Sequence, residues 1–319
     1  MPHDFIDILI ATLKPMLPDT CDISVQEVTK QAEERLTALC IRSDKTNITP
    51  LIYIDSAYEN YCHGASIENL ALTIKQIYEQ NSNLQQFDTT IVTDWEKAKK
   101  TVCARLINVK RNTSYLAEKV TTPLDGTNLA YMYFIDIPIP KDGSVPINTS
   151  IFKGWNVSLE EMHEIACANT AKYYPACIQS MAATMEDLAG DTGIDFVPTD
   201  AAMYVVTNRQ KIHGAISALY PDTAKRLQDA LGDYYLLPSS IHEMLAVPVS
   251  LAQSPEDLLH MVVSINHDGS VVRPEDILAD NVYKIVDGKL TPVFTKEQRI
   301  AIIKDTLSYL PFPEEEIDE

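Results

Sequence analysis

The stretch Asp233-Tyr-Tyr-Leu-Leu-Pro-Ser-Ser-Ile-His-Glu-Met-Leu-Ala-Val-Pro-Val-Ser250 constrains this chain more than any other. Two apolar runs flank a short polar tip, and their alternation predicts a β-hairpin. Strands so apolar need cover on both faces, which places the hairpin at the centre of a sheet. The tip holds Ser239, Ser240, His242 and Glu243, the densest set of potentially reactive side chains in the sequence. A catalytic serine needs a histidine in reach and a third group to orient it, and such partners normally come from separate segments. Here all four residues fall within five positions, and serines after Pro238 are also what a turn requires, because hydroxyls bond nearby backbone amides. The tip therefore carries two readings: a turn, or a hydrolase centre helped by Thr207-Asn208-Arg209.

Ahead of the hairpin the chain opens with an amphipathic pattern over 5–14, ending before Pro15 and Pro18. Strand-like runs follow at Cys21–Val28, Leu36–Ile41 and 51–54, and then a helix capped by Ser66 with Ile67, Leu70, Ala71, Ile74, Ile77 and Tyr78 on one stripe. The order α-β-β-β-α is shared with double-stranded-RNA-binding domains. Those grip phosphates with lysines at the start of the second helix, where this chain reads Ser66-Ile-Glu-Asn69. Asp94 predicts another helix over 94–111, with Trp95, Ala98, Val102 and Leu106 inward and Lys97, Lys99, Lys100, Arg105, Lys110 and Arg111 as a basic face. Charge runs usually solvate helices, and an anionic partner is the alternative.

From Val120 the texture changes, which places a domain boundary between 1–119 and an acidic mixed α/β domain over 120–310, with 311–319 a frayed tail. Within the second part Tyr131–Ile137 reads as a buried strand, Pro138 to Pro146 as a turn, and Ser158-Leu-Glu-Glu161 as a capping box opening a helix to Tyr173. Glu186 to Asp200 reads as a mobile acidic loop. Strands are expected at Met203–Thr207 and Gly214–Leu219, helices from Pro221 to Gly232 and from Ser254, a second hairpin turning at Asp287-Gly288, and a last helix capped by Thr295. The fold class is α+β: a small α-β-β-β-α unit followed by a larger mixed domain with a central antiparallel hairpin.

Charge narrows the function. The net charge is −19: residues 1–120 hold 13 Lys/Arg and 16 Asp/Glu (net −3), and residues 121–319 hold 13 and 29 (net −16). Such a field repels nucleic acid and anionic membranes. There is no apolar run long enough to span a bilayer, and acids stand near the N-terminus where a signal peptide needs bases, so a cytoplasmic setting is expected. The six cysteines show no C-x-x-C spacing. His163 and Cys167 stand one helical turn apart, which is two metal ligands at most, beside an apolar stripe. No H-E-x-x-H, G-x-S-x-G, phosphate-binding loop or G-x-G-x-x-G occurs, so neither a metal nor a cofactor is implied.

Several segments carry a resemblance: 55–61 after Thr-Pro-Leu-Ile-Tyr-Ile, Tyr204-Val-Val-Thr-Asn-Arg-Gln, and above all Tyr-Leu-Leu-Pro-Ser-Ser-Ile-His-Glu. Over residues 1 to about 295 the chain resembles a family of uncharacterised proteins, a domain of unknown function common in gut Firmicutes and often carried near conjugative elements. Its second part more distantly resembles the uncharacterised YtpQ-like proteins of bacilli. The resemblance implies no activity. The expectation is a non-catalytic protein-interaction module with a protein partner, serving a mobile element; the alternatives are the hydrolase and weak nucleic-acid contact through 97–111. Nucleic-acid contact would be salt-dependent and would weaken when Lys99 and Lys100 become glutamate, which a salt titration of binding checks.

Overall fold

The first unit is built on an amphipathic helix bracketed by prolines. In the computed structural model, which describes residues 1–44, 47, 49–81, 87–137, 143–187, 202–252 and 254–309, α1 (His3–Leu13) follows Pro2 and stops at a 3₁₀ turn containing Pro15. It buries Phe5, Ile6, Leu9 and Leu13. Strands β1 (Asp22–Thr29), β2 (Arg35–Arg42) and β3 (Leu51–Tyr53) form an antiparallel sheet in that order. A short α2 (Asp55–Cys62) and the long α3 (Ile67–Asn81) follow. Leu39, Ile41 and Ile54 meet Leu9, Leu13, Ala71 and Ile74 in one core. The expected α-β-β-β-α order is present, with α2 added.

Residues Met1–Thr89 make this unit and Thr90–Glu319 the second. The division falls thirty residues before the expected boundary at 119/120. The reason is β-pairing: β4 (Val102–Asn108) pairs along its whole length with β6 (Leu129–Ile137), so residues on both sides of 120 share one sheet. A second correction falls on 94–111. The helix capped by Asp94 is α5 (Trp95–Ala98), only four residues long after α4 (Thr90–Thr93), and the chain then enters β4, buried at all seven positions. The basic residues thus lie on a turn, a strand and a loop instead of one helix face.

The rest of the second unit runs α6 (Thr113–Leu116), β5 (Thr121–Pro123), β6, β7 (Gly143–Pro146), α7 (Thr149–Trp155), α8 (Leu159–Tyr173), β8 (Ala176–Ser180), α9 (Met181–Asp187), β9 (Tyr204–Asn208), a 3₁₀ helix (Gly214–Leu219), α10 (Pro221–Leu231), β10 (Tyr234–Ser240), β11 (Glu243–Pro248), α11 (Pro255–Asn266), β12 (Tyr283–Val286), β13 (Lys289–Pro292) and α12 (Lys296–Ser308). Residues 143–146, expected as part of a turn, form β7 on β6. Gly214–Leu219, expected as a strand, is helical. Residues 188–200 of the acidic loop and the 311–319 tail lie outside the described residues. No helix among the described residues is long and apolar enough to cross a membrane.

Two antiparallel sheets result. In the first, β6 is flanked on one side by β4 and on the other by β5 and β7. The second runs β13-β12-β10-β11-β9-β8, so the hairpin stands at its centre, as its apolar strands require. Tyr235, Leu237, Leu245 and Val247 pack on Leu258, Leu259, Val262 and Val263 of α11. The register runs Tyr234↔Pro248 to Leu237↔Leu245 and shifts before Ser240↔Glu243. Pro238, which cannot donate to a ladder, falls in that irregularity. Ser254 and Thr295 each complete a capping box, and Ser158 accepts a bond from the Glu161 amide.

Gly214 is where three backbones converge. A Cβ there would lie 2.3 Å from Thr207 Oγ1, 2.6 Å from the Asn208 nitrogen and 2.6 Å from the His242 carbonyl oxygen. Gly154, in α7, faces open space. Gly214→Ala is therefore expected to cost about 1–3 kcal/mol or more in denaturant unfolding, as overpacking against backbone does. Gly154→Ala should be neutral or stabilising by roughly 0.5–1 kcal/mol, since alanine is the better helix former.

Candidate functional site

The centre of β4 holds the second unit's most unusual side chain. Val-Cys-Ala-Arg-Leu-Ile-Asn is apolar enough to be buried from both sides, and Arg105 in its middle is only 9% exposed. Nη1 donates to Nε2 of His213 at 3.0 Å, Nη2 reaches the Tyr115 hydroxyl at 3.5 Å, and the guanidinium sits 5.5 Å from the Phe134 ring centroid. Nε, although buried, has no hydrogen-bond partner. No carboxylate among the described residues lies within ion-pair distance. Burial lowers the pKa of this guanidinium, opposed by Tyr115 and Tyr174, yet arginine stays charged in proteins. A buried charge without an opposite charge costs several kcal/mol, so its retention calls for an explanation.

Arg105 opens into a cavity of about 620 Å³ between β4 and the segment after β9. Phe134, Ile137, Ile212 and Ile216 give it apolar walls; Asp136, Asn208, Tyr174 and His213 add polar groups. Its size falls within the roughly 300–1,000 Å³ of small-molecule sites. Thr101 Oγ1 and His213 Nδ1, from two other lining residues, are also buried without a partner.

His213 is positioned by the loop after β9. Asn208 folds that loop: its side chain bonds both the carbonyl and the amide of Ile212. Lys211 and His213 adopt positive φ of 55° and 50°, a conformation that non-glycine residues hold only when their surroundings impose it. The hairpin tip imposes it here. The His213 amide donates to Nδ1 of His242 at 3.1 Å, and the two rings stack at 5.6 Å. On its other side His242 Nε2 meets Asp276 Oδ1 at 3.3 Å, and Arg273 holds Asp276 in turn.

The side chains of the tip are engaged locally. His242 Nδ1 accepts from a backbone amide and Nε2 bonds a carboxylate, so no lone pair remains to take a serine proton. Ser240 Oγ accepts from the His242 amide at 3.0 Å, and Ser239 Oγ lies 3.4 Å from Glu243 Oε1, which is turn bonding. Neither serine, nor His242, nor Glu243 is among the lining residues of the cavity. The tip stands behind its wall and holds His213 in place. Thr207 contributes as a strut, its hydroxyl donating to the His242 carbonyl at 2.7 Å.

The basic residues singled out by sequence disperse. Lys97 bonds Thr90 and Lys99 pairs with Glu96 on the turn. Lys100 is exposed. The Lys110 and Arg111 amides cap Asn108 Oδ1, and Lys110 borders a second cavity of about 410 Å³ with Lys296, Arg299 and Asp280. His163 and Cys167 do sit a turn apart on α8, with Sγ 3.7 Å from Nε2, but His163 is engaged by the Tyr133 hydroxyl at 2.8 Å and packed on Tyr131. No group of three or more metal-capable side chains occurs among the described residues. Sequence reasoning missed His213 and Asp276. The available signal for Arg105 was a lone charge inside an otherwise apolar strand.

Fold and site together define an α+β protein with a small-molecule-sized cavity and a buried cation in its wall. The chain belongs to the family described as Family of unknown function (DUF5688), whose profile matches residues 3–285. No curated protein and no solved structure matches it.

Burial, Arg105 and His242 together push the His213 pKa down to about 3, so the folded state keeps this ring neutral while the unfolded chain protonates it near 6.5. A depressed imidazole pKa means that the unfolded state binds the extra proton, so stability is fully present above about pH 6.5 and is lost as pH falls toward 3. His213→Gln should flatten the acid limb of a stability-versus-pH curve by up to about 1.4 kcal/mol per pH unit, measured by urea unfolding at stepped pH.

Proposed function

We propose that this protein binds a small organic anion in the 620 Å³ cavity, with Arg105 as the anchor. One observation carries the reading: a buried guanidinium borders the cavity, and no described carboxylate lies within ion-pair distance of it. Arginine has five N–H donors in a rigid fork suited to carboxylate or phosphate, and two of its nitrogens are engaged by His213 and Tyr115. Replacing cavity water with a ligand anion would pair the charge and strengthen the remaining bonds in a low-dielectric setting. Apolar walls would hold the body of the ligand.

In this reading the tip residues hold the loop and carry out no hydrolysis. The expected role as an interaction module, with a protein partner and in the setting of a mobile element, is compatible with it. A pocket of this kind would let a metabolite level alter what the protein binds.

Isothermal titration of pentanoate, 3-phenylpropanoate and inorganic phosphate into the full chain tests this. At least one should bind, and Arg105→Met should weaken it by about 10- to 150-fold, the equivalent of the 1.5–3 kcal/mol of a charge-assisted bond. Ligand-free Arg105→Met should unfold at no lower temperature than the wild type, because a buried unpaired charge is replaced by an apolar chain. Arg105→Lys should keep part of the affinity. Binding that ignores Arg105→Met, or no binding by any of the three, would overturn the proposal.

A further inference from the structure

The residues around the 620 Å³ cavity sort by depth. Arg105, Phe134 and Ile216 are buried and make its floor, while Tyr173 and Ile212 are 38% and 56% exposed and stand on its rim. The charge is therefore at the bottom and large apolar side chains are at the mouth, the reverse of the order that solvent favours on an open surface. Both rim side chains are held in place. The Tyr173 hydroxyl donates to the Lys100 carbonyl, and the Gln210 side-chain amide donates to the Tyr173 carbonyl, which ties the loop after β9 alongside. In that loop Asn208 bonds both backbone groups of Ile212, between Lys211 and His213 at positive φ. Lone exposed apolar residues are common on proteins. An isoleucine presented by a pinned loop at the lip of a cavity is instead a contact surface for whatever fills that cavity.

Resting on the reading of this cavity as an anion site, we infer that its ligand is a free straight-chain carboxylic acid that enters head first. Its carboxylate meets Arg105 at the floor, and its acyl chain runs past Phe134 and Ile216 to emerge between Ile212 and Tyr173. The guanidinium fork fits a carboxylate, and at the floor, away from bulk water, the attraction is stronger than at a surface. Each methylene withdrawn from water adds about three- to four-fold in affinity, for as long as the chain lies inside the cavity or against the two rim side chains. A short anion such as phosphate engages Arg105 alone and leaves the rim uncovered. The acyl chain of a membrane lipid shares this apolar chemistry. The net charge of −19 opposes docking on an anionic bilayer, and a lipid chain would arrive tail first, with no anion to deliver to the floor.

Calorimetry on the full chain compares butanoate, hexanoate and octanoate, each below its micelle concentration, with 1-octanol as the chain without the head. Affinity should rise about three- to four-fold per methylene along the series, and 1-octanol should bind about ten-fold or more weakly than octanoate. Ile212→Ser should shrink the octanoate-to-butanoate affinity ratio by about three-fold or more; an unchanged ratio would overturn the exit at the rim. Should that variant not fold, the series on the unaltered chain decides. Equal affinities along the series would overturn the acyl ligand and leave the anion site standing. 1-Octanol binding as tightly as octanoate would overturn the anchoring by Arg105, and no binding by any acid would overturn both. In a flotation assay with phosphatidylcholine and phosphatidylglycerol vesicles the protein should stay behind; flotation by a chain that ignores octanoate would replace the free acid with a membrane.

Discussion

The convergence at Gly214 is the constraint on which the second unit's site depends. Three segments meet there: the end of β9, the tip of the β10–β11 hairpin and the 3₁₀ helix, close enough that only a residue without a Cβ fits. The contact is secured from each side. Thr207 bonds the His242 carbonyl, Ser217 bonds the Thr207 carbonyl at 2.8 Å, and the Ala215 amide reaches the Ile241 carbonyl at 3.3 Å. Once these backbones are locked, His213 has no choice but a positive φ, and its ring is delivered to Arg105.

The site is therefore layered. Arg105 and the cavity walls face the space a ligand would fill; His213 stands beside Arg105; His242 and Asp276 stand behind His213. Each layer fixes the hydrogen-bonding state of the one before it. Because Asp276 and a backbone amide occupy both nitrogens of His242, that ring is a support, and because Arg105 can only donate, His213 must accept through Nε2. Two histidines that would look reactive in isolation are thereby held in fixed orientations by the groups around them.

Much of the architecture was legible in local pattern. The helices at 3–13, 67–81, 159–173, 221–231, 255–266 and 296–308 follow apolar periodicity, and Ser66, Ser158, Ser254 and Thr295 make the cap bonds expected of them. The central hairpin and the turn at Asp287-Gly288 follow from alternation and from a dipeptide that accepts positive φ at both positions. The failures share one cause. Residues 102–108 carry apolar groups at spacings that suit a helix stripe, yet β6 offers them seven consecutive pairings, and burial on both faces outweighs the weak local preference. Gly214–Leu219, expected as a strand, is a 3₁₀ helix. Its glycine instead serves the close approach to Thr207 and His242, which no local pattern reveals.

What the sequence alone determined is the α+β class, the order of the main elements, the placing of the hairpin at the middle of a sheet, and the absence of the familiar catalytic motifs. These depend on spacing along the chain, which composition and periodicity report directly. What only the tertiary structure decided is the site. Arg105, Asp136, His213, His242 and Asp276 come from five segments spread over more than 170 residues, and their meeting depends on sheet order and on one glycine-sized gap. The residues at the hairpin tip bond one another, Asp276 and the backbone amide of His213. A single arginine, unremarkable in a basic helix, stands in the cavity wall because β-pairing buried it with no described carboxylate in ion-pair reach.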